Sequence, residues 1–405
     1  MSEWREMRLG ALVDAAGGHI KTGPFGSQLH SHEYTTDPGG IAVVMPRDMV
    51  RGRVDRRSVS RVDRETAERL KAHRLAAGDV VLARRGDVGR SAFVEEDEAG
   101  WLCGTGSMRV HAPDHEVIVP RFLRYAFDEP RVAEWLIGQS VGSTMPNLNA
   151  KIVSDLPLRV PDPTTQRRIA AVLAAFDELI EINERRIELL EDLARSLYRE
   201  WFARFRFPGH EAVEFVDSEL GPIPERWEAL RLGEIAQLRY GRSLPATKRR
   251  PGPFAVVSSA GVVGEHDDAL VEGPGIVLGR KGNVGSVWWL DDDFFPIDTT
   301  YYVTSDLPLG FLYWQLSDLQ FDNSHAAVPG LSRDHANSVL VIRPDQATVR
   351  RFGEHHMRVF NAIAVLSAQS EALIATRDLL LPRLVTGRLE ISDIDLGELL
   401  PPEPA

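Results

Sequence analysis

Two short runs place a pair of basic residues directly before a glycine turn. The first run is RRGDVG at 84–89 and the second is RKGNVG at 280–285. Glycines at these positions permit a positive φ, which predicts a tight turn with each basic pair lifted to its tip. Guanidinium and ammonium groups on such a tip suit contacts with phosphates and with the edges of bases. A hairpin whose charges stay solvated explains one such run, but two in equivalent places favour a contact with a nucleic-acid backbone.

The two runs belong to an internal repeat that covers most of the chain. Residues 4–206 align with 227–389, with an offset of 223 at MRLGALV (7–13) and LRLGEIA (230–236), and of 196 at the basic turns. From Pro146 and Pro329 onward the offset stays at 183. The offset between the two copies thus varies in the first part of the repeat and is constant in the second part. This suggests a variable module followed by a rigid one. Duplication predicts a pseudo-twofold molecule with two similar sites.

Length and composition indicate a soluble protein with more than one domain. The chain has 405 residues, of which 43% are hydrophobic and 26% charged, which is typical of globular proteins with several cores. No apolar run approaches the ~18 residues of a membrane span, and the first residues lack signal-peptide character. The single cysteine, Cys103, excludes an internal disulfide and favours a reducing, cytoplasmic setting.

The net charge of −12 hides a local reversal of sign. Residues 211–345 carry 11 Lys+Arg against 20 Asp+Glu, whereas residues 47–74 carry ten basic side chains against five acidic ones. A smaller basic cluster lies in the second copy and consists of Arg239, Arg242, Lys248, Arg249 and Arg250. A DNA-binding surface needs only a local positive stripe. A solvated charged surface explains the first cluster equally well.

The motifs of common enzymes are missing from the sequence. It contains no Gly-Lys-Ser/Thr phosphate loop, no Asn/Asp-Pro-Pro-aromatic methyltransferase motif, no His-Glu-x-x-His and no Gly-x-Ser-x-Gly. The glycine-rich run at 279–285 lies between strand-like segments instead of at a strand-to-helix turn. We therefore predict no catalytic residues and no metal site in this chain.

Both modules show the short apolar runs of strands, broken by Gly, Pro and Asp. In the first copy the predicted strands lie within residues 40–46, 78–85, 91–96 and 107–113, with helices near 63–73 and 120–139. In the second copy they lie within 254–259, 275–280, 286–290 and 299–304, with a helix at 309–321. Each module is therefore predicted to be a mixed α/β domain.

A long helix is predicted after each module, beyond a proline-marked boundary. Thr164 can cap the first helix, and Asp345 or Thr348 the second. Apolar residues alternate at spacings of three and four, as in the seam of a coiled coil. The seam positions are Leu173, Phe176, Ile180, Asn183, Ile187, Leu190 and Leu197 in the first helix and Val359, Ile363, Leu366, Leu373 and Leu380 in the second. Asn183 either fixes the register of the pair or lies at a solvated edge.

These patterns predict an α+β protein with two mixed α/β domains, each followed by a long helix. The two helices pair as an antiparallel coiled coil, and the whole forms a pseudo-twofold repeat. The predicted segments are a first domain at 1–160, a first spacer helix at 161–207, a second domain at 208–344, a second spacer helix at 345–390 and a tail at 391–405.

At this point the sequence resembles a known family, the DNA-specificity subunits of type I restriction-modification systems. The likeness is carried in the first half by KTGPFGSQL (21–29), GSTMPNLN (142–149), LPLRVPDPTTQRRIA (156–170) and EINERRIELL (181–190). In the second half it is carried by GRKGNVGSVWW (279–289), DTTYYV (298–303) and LLLPRLVTGRL (379–389). Two departures are visible: Thr165 stands where the family usually has Glu before Gln166, and Val349 replaces the second Gln.

The resemblance implies a non-catalytic reader of double-stranded DNA in phage defence. Each domain would be a target-recognition domain that reads one half of an asymmetric bipartite site, and the helix pair would set the gap. Two methyltransferase subunits would dock on the chain and methylate adenine, and nuclease/translocase subunits would cut unmodified DNA. S-adenosylmethionine, ATP and Mg²⁺ would then be bound by the partners and none by this chain.

Polar and basic side chains near the glycine turns and the family motifs are the candidate DNA contacts. They are Lys21, Thr22, Ser27, Gln28, Arg84, Arg85, Ser143, Thr144 and Asn147 in the first copy, and Arg242, Lys248, Arg280, Lys281 and Asn283 in the second. Two alternatives stay open: a coiled-coil scaffold with duplicated protein-binding domains, and the recognition subunit of another methylation-based defence system.

Overall fold

The computed structural model describes residues 4–139, 147–321 and 330–391. Its contacts divide the chain into two compact units, of which unit 1 comprises Met1–Glu181 and Glu371–Ala405 and unit 2 comprises Ile182–Ser370. Both long helices cross this division, so each of them contributes one part to unit 1 and the other to unit 2. The five segments predicted from the sequence follow chain order and stay predictions.

Unit 1 contains a mixed α/β domain with two four-stranded sheets and two short ladders. Its strands are β1 (Arg5–Arg8), β2 (His19–Thr22), β3 (Tyr34–Thr35), β4 (Ile41–Val44), β5 (Met49–Val50), β6 (Arg53–Val54), β7 (Ser60–Val62), β8 (Val80–Ala83), β9 (Ser91–Phe93), β10 (Leu102–Cys103), β11 (Ser107–His111) and β12 (Pro157–Val160). Its helices are α1 (Leu9–Ala15), α2 (Arg64–Arg69), α3 (Pro120–Phe127), α4 (Pro130–Gln139), α5 (Ala150–Ser154) and the first part of α6 (Pro163–Tyr198).

Unit 2 contains a second mixed α/β domain. Its strands are β13 (Phe215–Val216), β14 (Ile223–Pro224), β15 (Glu228–Arg231), β16 (Gln237–Tyr240), β17 (Phe254–Ser258), β18 (Gly261–His266), β19 (Gly275–Gly279), β20 (Val287–Leu290), β21 (Phe294–Pro296), β22 (Thr300–Thr304) and β23 (Leu340–Arg343). Its helices are α7 (Leu232–Ile235), α8 (Leu309–Asp318), α9 (Arg333–Ser338) and the first part of α10 (Gln346–Leu384).

The two domains have the same topology, which confirms the repeat inferred from the sequence. One antiparallel sheet has the order β2-β11-β8-β9 in unit 1 and β16-β22-β19-β20 in unit 2. In each domain the first strand of the repeat pairs with the last in an antiparallel ladder. The pair is β1 with β12 in unit 1 and β15 with β23 in unit 2. In a second sheet the central strand, β4 or β17, has one parallel and one antiparallel neighbour.

Every strand and helix predicted within the two domains is present. The sequence did not predict β2 and β16, which are edge strands of the repeated sheet. These strands, HIKT and QLRY, each have only four residues and contain polar side chains. A stretch this short and this polar gives no periodic apolar signal. The omission matters because both strands lead directly into the candidate interface.

Each domain buries its repeated sheet and helices in one main core. In unit 1 this core contains Leu82, Met108 and Phe122, and it extends to Leu173 of α6 and Leu384 of α10. In unit 2 it contains a large group of aromatic side chains, which are Tyr198, Trp201, Phe202, Trp227, Tyr301, Phe311, Trp314, Phe352 and Phe360. Burial of this apolar area stabilises each domain on its own segments of both helices.

The long helices pair in antiparallel fashion within each unit. In unit 1 the start of α6 shares a core with the end of α10, and in unit 2 the end of α6 shares a core with the start of α10. All twelve predicted seam residues are buried or half-buried, and their direct pairing in a heptad seam stays a prediction. Asn183 is only 7% exposed, so the interpretation as a solvated edge residue is wrong.

Equivalent aspartates begin the two long helices. Asp162 accepts a hydrogen bond from the Thr165 backbone at 3.0 Å, and Asp345 accepts one from the Thr348 backbone at 3.0 Å. An N-terminal carboxylate satisfies free backbone N–H groups and complements the helix dipole. The prediction that Asp345 caps the second helix is confirmed, whereas Asp162 replaces Thr164 as the cap of the first.

Gln166, in the motif shared with the family, is buried and links two helices of unit 1 through its side-chain amide. Its side-chain oxygen accepts a hydrogen bond from the Val119 backbone at 2.7 Å, and its side-chain nitrogen donates one to the Pro161 carbonyl at 2.9 Å. The Gln166 amide thereby ties the start of α3 to α6. Val349, its counterpart, is fully buried in the apolar core of unit 2. The two helix starts are therefore held to their domains by different chemistry.

Helix α10 alone among the described segments is long and apolar enough to cross a membrane, with a mean hydropathy of 1.3 in one window. This differs from the expectation that no segment approaches a membrane span. Its seam residues pack in the cores of the two units, and Arg377 within it forms an ion pair with Asp177. We therefore assign the apolar residues of α10 to helix pairing.

Candidate nucleic-acid interface

The basic turn of unit 1 follows strand β8. Gly86 and Gly89 have φ of 76° and 111°, as the sequence predicts. The Leu148 backbone donates a hydrogen bond to the Arg84 carbonyl at 2.9 Å, so the turn is tied to the segment before α5. Arg85 is exposed at the tip, but Arg84 is only 6% exposed and its guanidinium lies 5.4 Å from the Phe25 ring. The prediction that both basic residues reach the tip is wrong for Arg84.

The basic turn of unit 2 has the same construction. Gly282 and Gly285 each have a φ of 79°, and the Leu331 backbone donates to the Arg280 carbonyl at 2.8 Å. Lys281 and Asn283 are exposed, whereas Arg280 is half-buried. The hydrogen bond from Leu331 repeats the bond from Leu148 at the offset of 183. The turn and the backbone hydrogen bond that holds it are therefore present in both units.

A second loop reaches each turn from the neighbouring edge strand. After β2 the Gly23 backbone donates to the Ser107 carbonyl at 2.9 Å, and after β16 the Gly241 backbone donates to the Thr300 carbonyl at 3.1 Å. Beyond these glycines the chain carries two candidates in unit 1, exposed Ser27 and Gln28, and two in unit 2, exposed Arg242 and Lys248. The end of the repeated sheet thus gathers most of the candidates.

Three candidates of unit 1 have internal contacts. Gln28 accepts a hydrogen bond from the Phe25 backbone at 3.0 Å and so shapes its own loop. Lys21 donates to the Ala72 carbonyl at 3.0 Å, and the Thr22 carbonyl lies 3.1 Å from a ring nitrogen of His73. These contacts link β2 to residues 72–73. Lys21 and Thr22 are half-buried, and Ser27 is more accessible than either.

Asn147 lies beside the turn of unit 1. It forms an isolated β-bridge with Arg85, and its side-chain oxygen is buried without a hydrogen-bond partner among the described residues. A buried, unsatisfied amide oxygen is costly in the free protein, so a donor from outside the chain would find an acceptor here. Ser143 and Thr144 lie outside the described residues.

Three aromatic or basic residues of the interface were missed by the sequence analysis. Phe25 covers Arg84, and Tyr240 lies at the end of β16 with 46% of its surface exposed. The guanidinium of Arg333, the first residue of α9, lies 5.3 Å from the Tyr240 ring. Phe25 lies in the KTGPFGSQL motif, Tyr240 lies between Arg239 and Arg242 of the smaller basic cluster, and Arg333 belongs to no motif. Only the register of the edge strand and the placement of α9 bring them to the turns.

Most of the first basic cluster, at residues 47–74, is used inside unit 1. Arg56 pairs with Asp97 and Glu98, and Arg53 pairs with Glu181. Other members donate to Ser60, to the Gly40 carbonyl, to Glu33 or to Glu68; they are Arg47, Arg61, Arg69, Lys71 and Arg74. The structure therefore favours the interpretation of this cluster as a solvated charged surface.

The interface cations of unit 2 are, by contrast, free of carboxylates. Among the eleven Lys and Arg of residues 211–345, the ion pairs within the described part of the chain involve Arg226, Arg250 and Arg343. Arg280, Lys281 and Arg333 have no carboxylate partner there. A strongly acidic domain thus has cations without carboxylate partners at the end of the repeated sheet, where they can attract an anionic ligand.

Burial changes the titration of two interface side chains. Desolvation lowers the pKa of Arg84 from its ordinary value, and an arginine with a somewhat lowered pKa is still charged at neutral pH. Desolvation, followed by a hydrogen bond with Tyr240, raises the pKa of Tyr301 to about 12. The Tyr301 phenol therefore stays neutral near pH 7. Within residues 4–139, 147–321 and 330–391, no group of His, Cys, Asp and Glu could hold a metal ion.

Comparisons with known proteins show which proteins the chain is similar to. Residues 1–192 match the family model described as type I restriction modification DNA specificity domain. The chain is similar to the MjaIX specificity subunit of Methanocaldococcus jannaschii, with 24% identity over 390 residues that cover 88% of each chain. It is also similar to the HindI specificity subunit of Haemophilus influenzae, with 29% identity over 134 residues that cover 32% of this chain and 29% of that one.

A solved structure has the same fold. The crystal structure of the type I restriction-modification S subunit from M. genitalium matches with a TM-score of 0.60 and 17% identity, covering 95% of this chain and 96% of that one. The first 192 residues therefore match the type I restriction modification DNA specificity domain, and the chain is similar over 88% of its length to a type I specificity subunit.

Proposed function

We propose that this chain reads an asymmetric bipartite sequence in double-stranded DNA, with one domain for each half-site. The observation that supports this most directly is the duplicated interface at the end of the repeated sheet. Each copy has the same braced glycine turn, but the side chains around it differ, with Phe25 and Arg84 in unit 1 and Tyr240, Arg280 and Arg333 in unit 2. Two turns with the same backbone structure but different side chains around them suit the recognition of two different half-sites.

The chain acts without catalysis of its own in this proposal. Two methyltransferase subunits would bind S-adenosylmethionine and modify an adenine, and nuclease/translocase subunits would use ATP and Mg²⁺ to cut unmodified DNA. The target adenine would be turned out of the helix by those partners. The assembly would act in the cytoplasm against phage DNA.

The helix pair offers a surface for such partners. In unit 2 an apolar groove between α6 and α10 is lined by Arg186, Leu189, Leu190, Asn361, Ala362, Val365 and Leu366. Leu189 is 61% exposed and Val365 is 57% exposed. Exposed apolar side chains beside a coiled-coil seam are unfavourable in water, and a partner helix that covered them would gain their burial. We propose that a methyltransferase subunit supplies this helix.

Removing both exposed tip cations should weaken DNA binding without changing the sequence that is read. We expect Arg85→Ala with Lys281→Ala to lower the affinity for all DNA and to reduce the slope of log K against log salt by about 1 to 2. Each phosphate contact that is lost means that fewer counterions leave the DNA on binding. Titration of the assembled complex against specific and unrelated duplexes at several salt concentrations measures this. Arg226→Ala, which removes an exposed cation paired with Glu225, is the matched control, and an unchanged slope in the double variant would show that the turns are structural.

The proposal is tested by mapping methylated adenines in cells with and without the gene. We expect one bipartite motif to disappear on deletion. A strain with seven residues inserted after Arg185 and seven after Ser367 keeps the heptad seam and lengthens both helices by about 10 Å, or about three base pairs. Its motif should keep both halves and gain about three unread positions. A motif with an unchanged gap would contradict a spacing role for the helices.

The alternatives predict other outcomes of the same mapping. A scaffold protein would leave the methylome unchanged on deletion. The recognition subunit of another methylation-based system would also lose a motif, and the subunits that copurify with the tagged chain would then identify the system.

A further inference from the structure

Two guanidinium groups share one exposed phenol ring in the interface of unit 2. The Arg280 guanidinium carbon lies 5.0 Å from the centre of the Tyr240 ring and 5.8 Å from the Tyr301 ring. The Arg333 guanidinium carbon lies 5.3 Å from the Tyr240 ring. These residues come from β16, from the turn after β19, from β22 and from the start of α9. The packing of four separate elements therefore creates the cluster.

The aromatic contacts hold these guanidinium groups in place while leaving hydrogen-bond donors available. A guanidinium above an aromatic ring is attracted through its face, whereas its N–H donors point outward in its own plane. Arg280 donates one hydrogen bond to the Asp298 carbonyl at 3.1 Å, which further limits its motion. Among the described residues, Arg333 has no hydrogen-bond or carboxylate partner. Donors therefore remain for a ligand.

Charge makes the cluster unfavourable in the isolated protein. Two like charges near one ring repel each other, and no carboxylate among the described residues pairs with either guanidinium. The cluster sits where Lys281 and Asn283 are also exposed. A ligand that is anionic overall and rich in acceptor pairs would relieve the repulsion. DNA has both properties in its major groove, where guanine presents the O6 and N7 acceptors side by side.

We infer that Tyr240, Arg280 and Arg333 form the guanine-reading element of the second domain. Arg333 donates two hydrogen bonds to O6 and N7 of one guanine, and Tyr240 positions its guanidinium, together with that of Arg280, for this contact. The inference rests on the proposed function, since it names the base that the second interface reads.

The first domain lacks this arrangement. By the strand registers, Tyr240 corresponds to Thr22, because they pair with Tyr301 and Met108 at equivalent places. Arg333 corresponds to Ala150 at the offset of 183. Arg84, the counterpart of Arg280, is buried beneath Phe25. Guanine reading by a shared aromatic ring is therefore confined to one half-site, which explains chemically why the target is asymmetric.

The test uses the full chain assembled with its methyltransferase partners, with methylated motifs mapped in cells. For Arg333→Ala we expect one guanine position in one half-site to accept other bases, with a roughly 10- to 100-fold loss of discrimination there, while the other half-site stays unchanged. Arg333→Lys should relax the same position while overall methylation persists, because a lysine supplies charge without the paired donors. Tyr240→Phe should keep the motif, and Tyr240→Leu should relax it as Arg333→Ala does. Arg226→Ala, which removes an exposed cation of the same domain outside the interface, is the control and should leave the motif intact.

The outcomes separate this inference from the proposed function. Absence of any bipartite motif with the unaltered chain would overturn the proposed function itself. A motif that persists unchanged in Arg333→Ala and Arg333→Lys, or that relaxes at a base other than guanine, would overturn only the inference. If Arg333→Ala abolishes methylation altogether, Arg333→Lys decides: relaxation at one guanine supports the inference, and an unchanged motif refutes it, since the charge alone would then suffice.

Discussion

Unit 1 should lose about 3–5 kcal/mol of its free energy of unfolding when Asp177 is replaced by alanine. Asp177 is the centre of a buried network that joins three helices. It accepts hydrogen bonds from Arg377 of α10 and from Tyr125 of α3, each at 2.6 Å. Arg124 of α3 lies 3.8 Å away. Removing the Asp177 carboxylate would leave the Tyr125 hydroxyl without its acceptor and would leave Arg124 and Arg377 with only their second partners, Asp128 at 2.6 Å and Asp378 at 2.8 Å.

The expected size follows from the depth of burial. The side chains of Asp177 and Arg377 are 10% and 11% exposed, and that of Arg124 is 5% exposed. Water cannot replace the lost carboxylate at such positions, so the broken ion pair and the unsatisfied hydroxyl are costly although each guanidinium keeps a second carboxylate. Burial, reinforced by the Asp177 charge, raises the pKa of Tyr125, so its hydroxyl stays protonated and donates to the carboxylate over the whole physiological range.

Hydrogen exchange followed by mass spectrometry is the suitable measurement, because two units need not unfold together and peptides report each unit separately. Glu178→Ala removes an exposed carboxylate one residue away and should change the stability by less than about 0.5 kcal/mol. In a double-mutant cycle with Arg377→Leu, the two losses should be far from additive. Additive losses would mean that the ion pair does not couple α6 to α10.

The sequence predicted the parts of this protein that depend on local pattern. The heptad spacing located the helix pair because burial of an apolar stripe repeats every three to four residues, and the glycine turns followed from the need for positive φ. His356 lies three residues before the seam residue Val359, and Arg377 lies four residues after the seam residue Leu373, so both continue the seam spacing with polar side chains. The structure shows that both are buried, Arg377 against a carboxylate and His356 among aromatic rings. Such pairings depend on tertiary neighbours that spacing alone does not specify.

The candidate interface was predicted less completely. Arg85, Lys281 and Asn283 lie at exposed turns, as expected, whereas Arg84 is buried. Phe25, Tyr240 and Arg333 were not found, because cation–π contacts join residues that are far apart in sequence. The Arg47–Arg74 region shows the opposite error: a dense run of charge looked functional, but its partners were carboxylates elsewhere in the same unit. Local charge density does not reveal which charges are already paired.

Unit 2 should become less stable as the pH falls from about 6.5 to about 4, by up to about 3 kcal/mol, because of His356. This side chain is 1% exposed, and its ring stacks on Phe360 with 4.0 Å between the ring centres. Neither ring nitrogen has a hydrogen-bond partner among the described residues. Burial lowers the pKa of His356 to about 4. The unfolded chain takes up a proton near pH 6.5, but the folded unit does not until about pH 4, so the stabilisation present above pH 6.5 is lost progressively between these values.

His356→Leu should remove this pH dependence while keeping the packing. Leucine is similar in volume to histidine and leaves no unsatisfied nitrogen in the aromatic core, so stability at pH 7 should be unchanged or higher. A larger side chain would be a poorer choice, because α8 approaches so closely that a Cβ placed on Gly310 would lie 2.3 Å from the His356 ring. Hydrogen exchange of unit 2 peptides at pH 7, 5.5 and 4.5 measures the effect, with His335→Gln, an exposed histidine of the same unit, as the control. The opposite outcome is that the unaltered chain and His356→Leu lose protection from hydrogen exchange to the same extent over this pH range. The acid sensitivity would then come from carboxylates, since they are the only other groups that titrate there in most proteins.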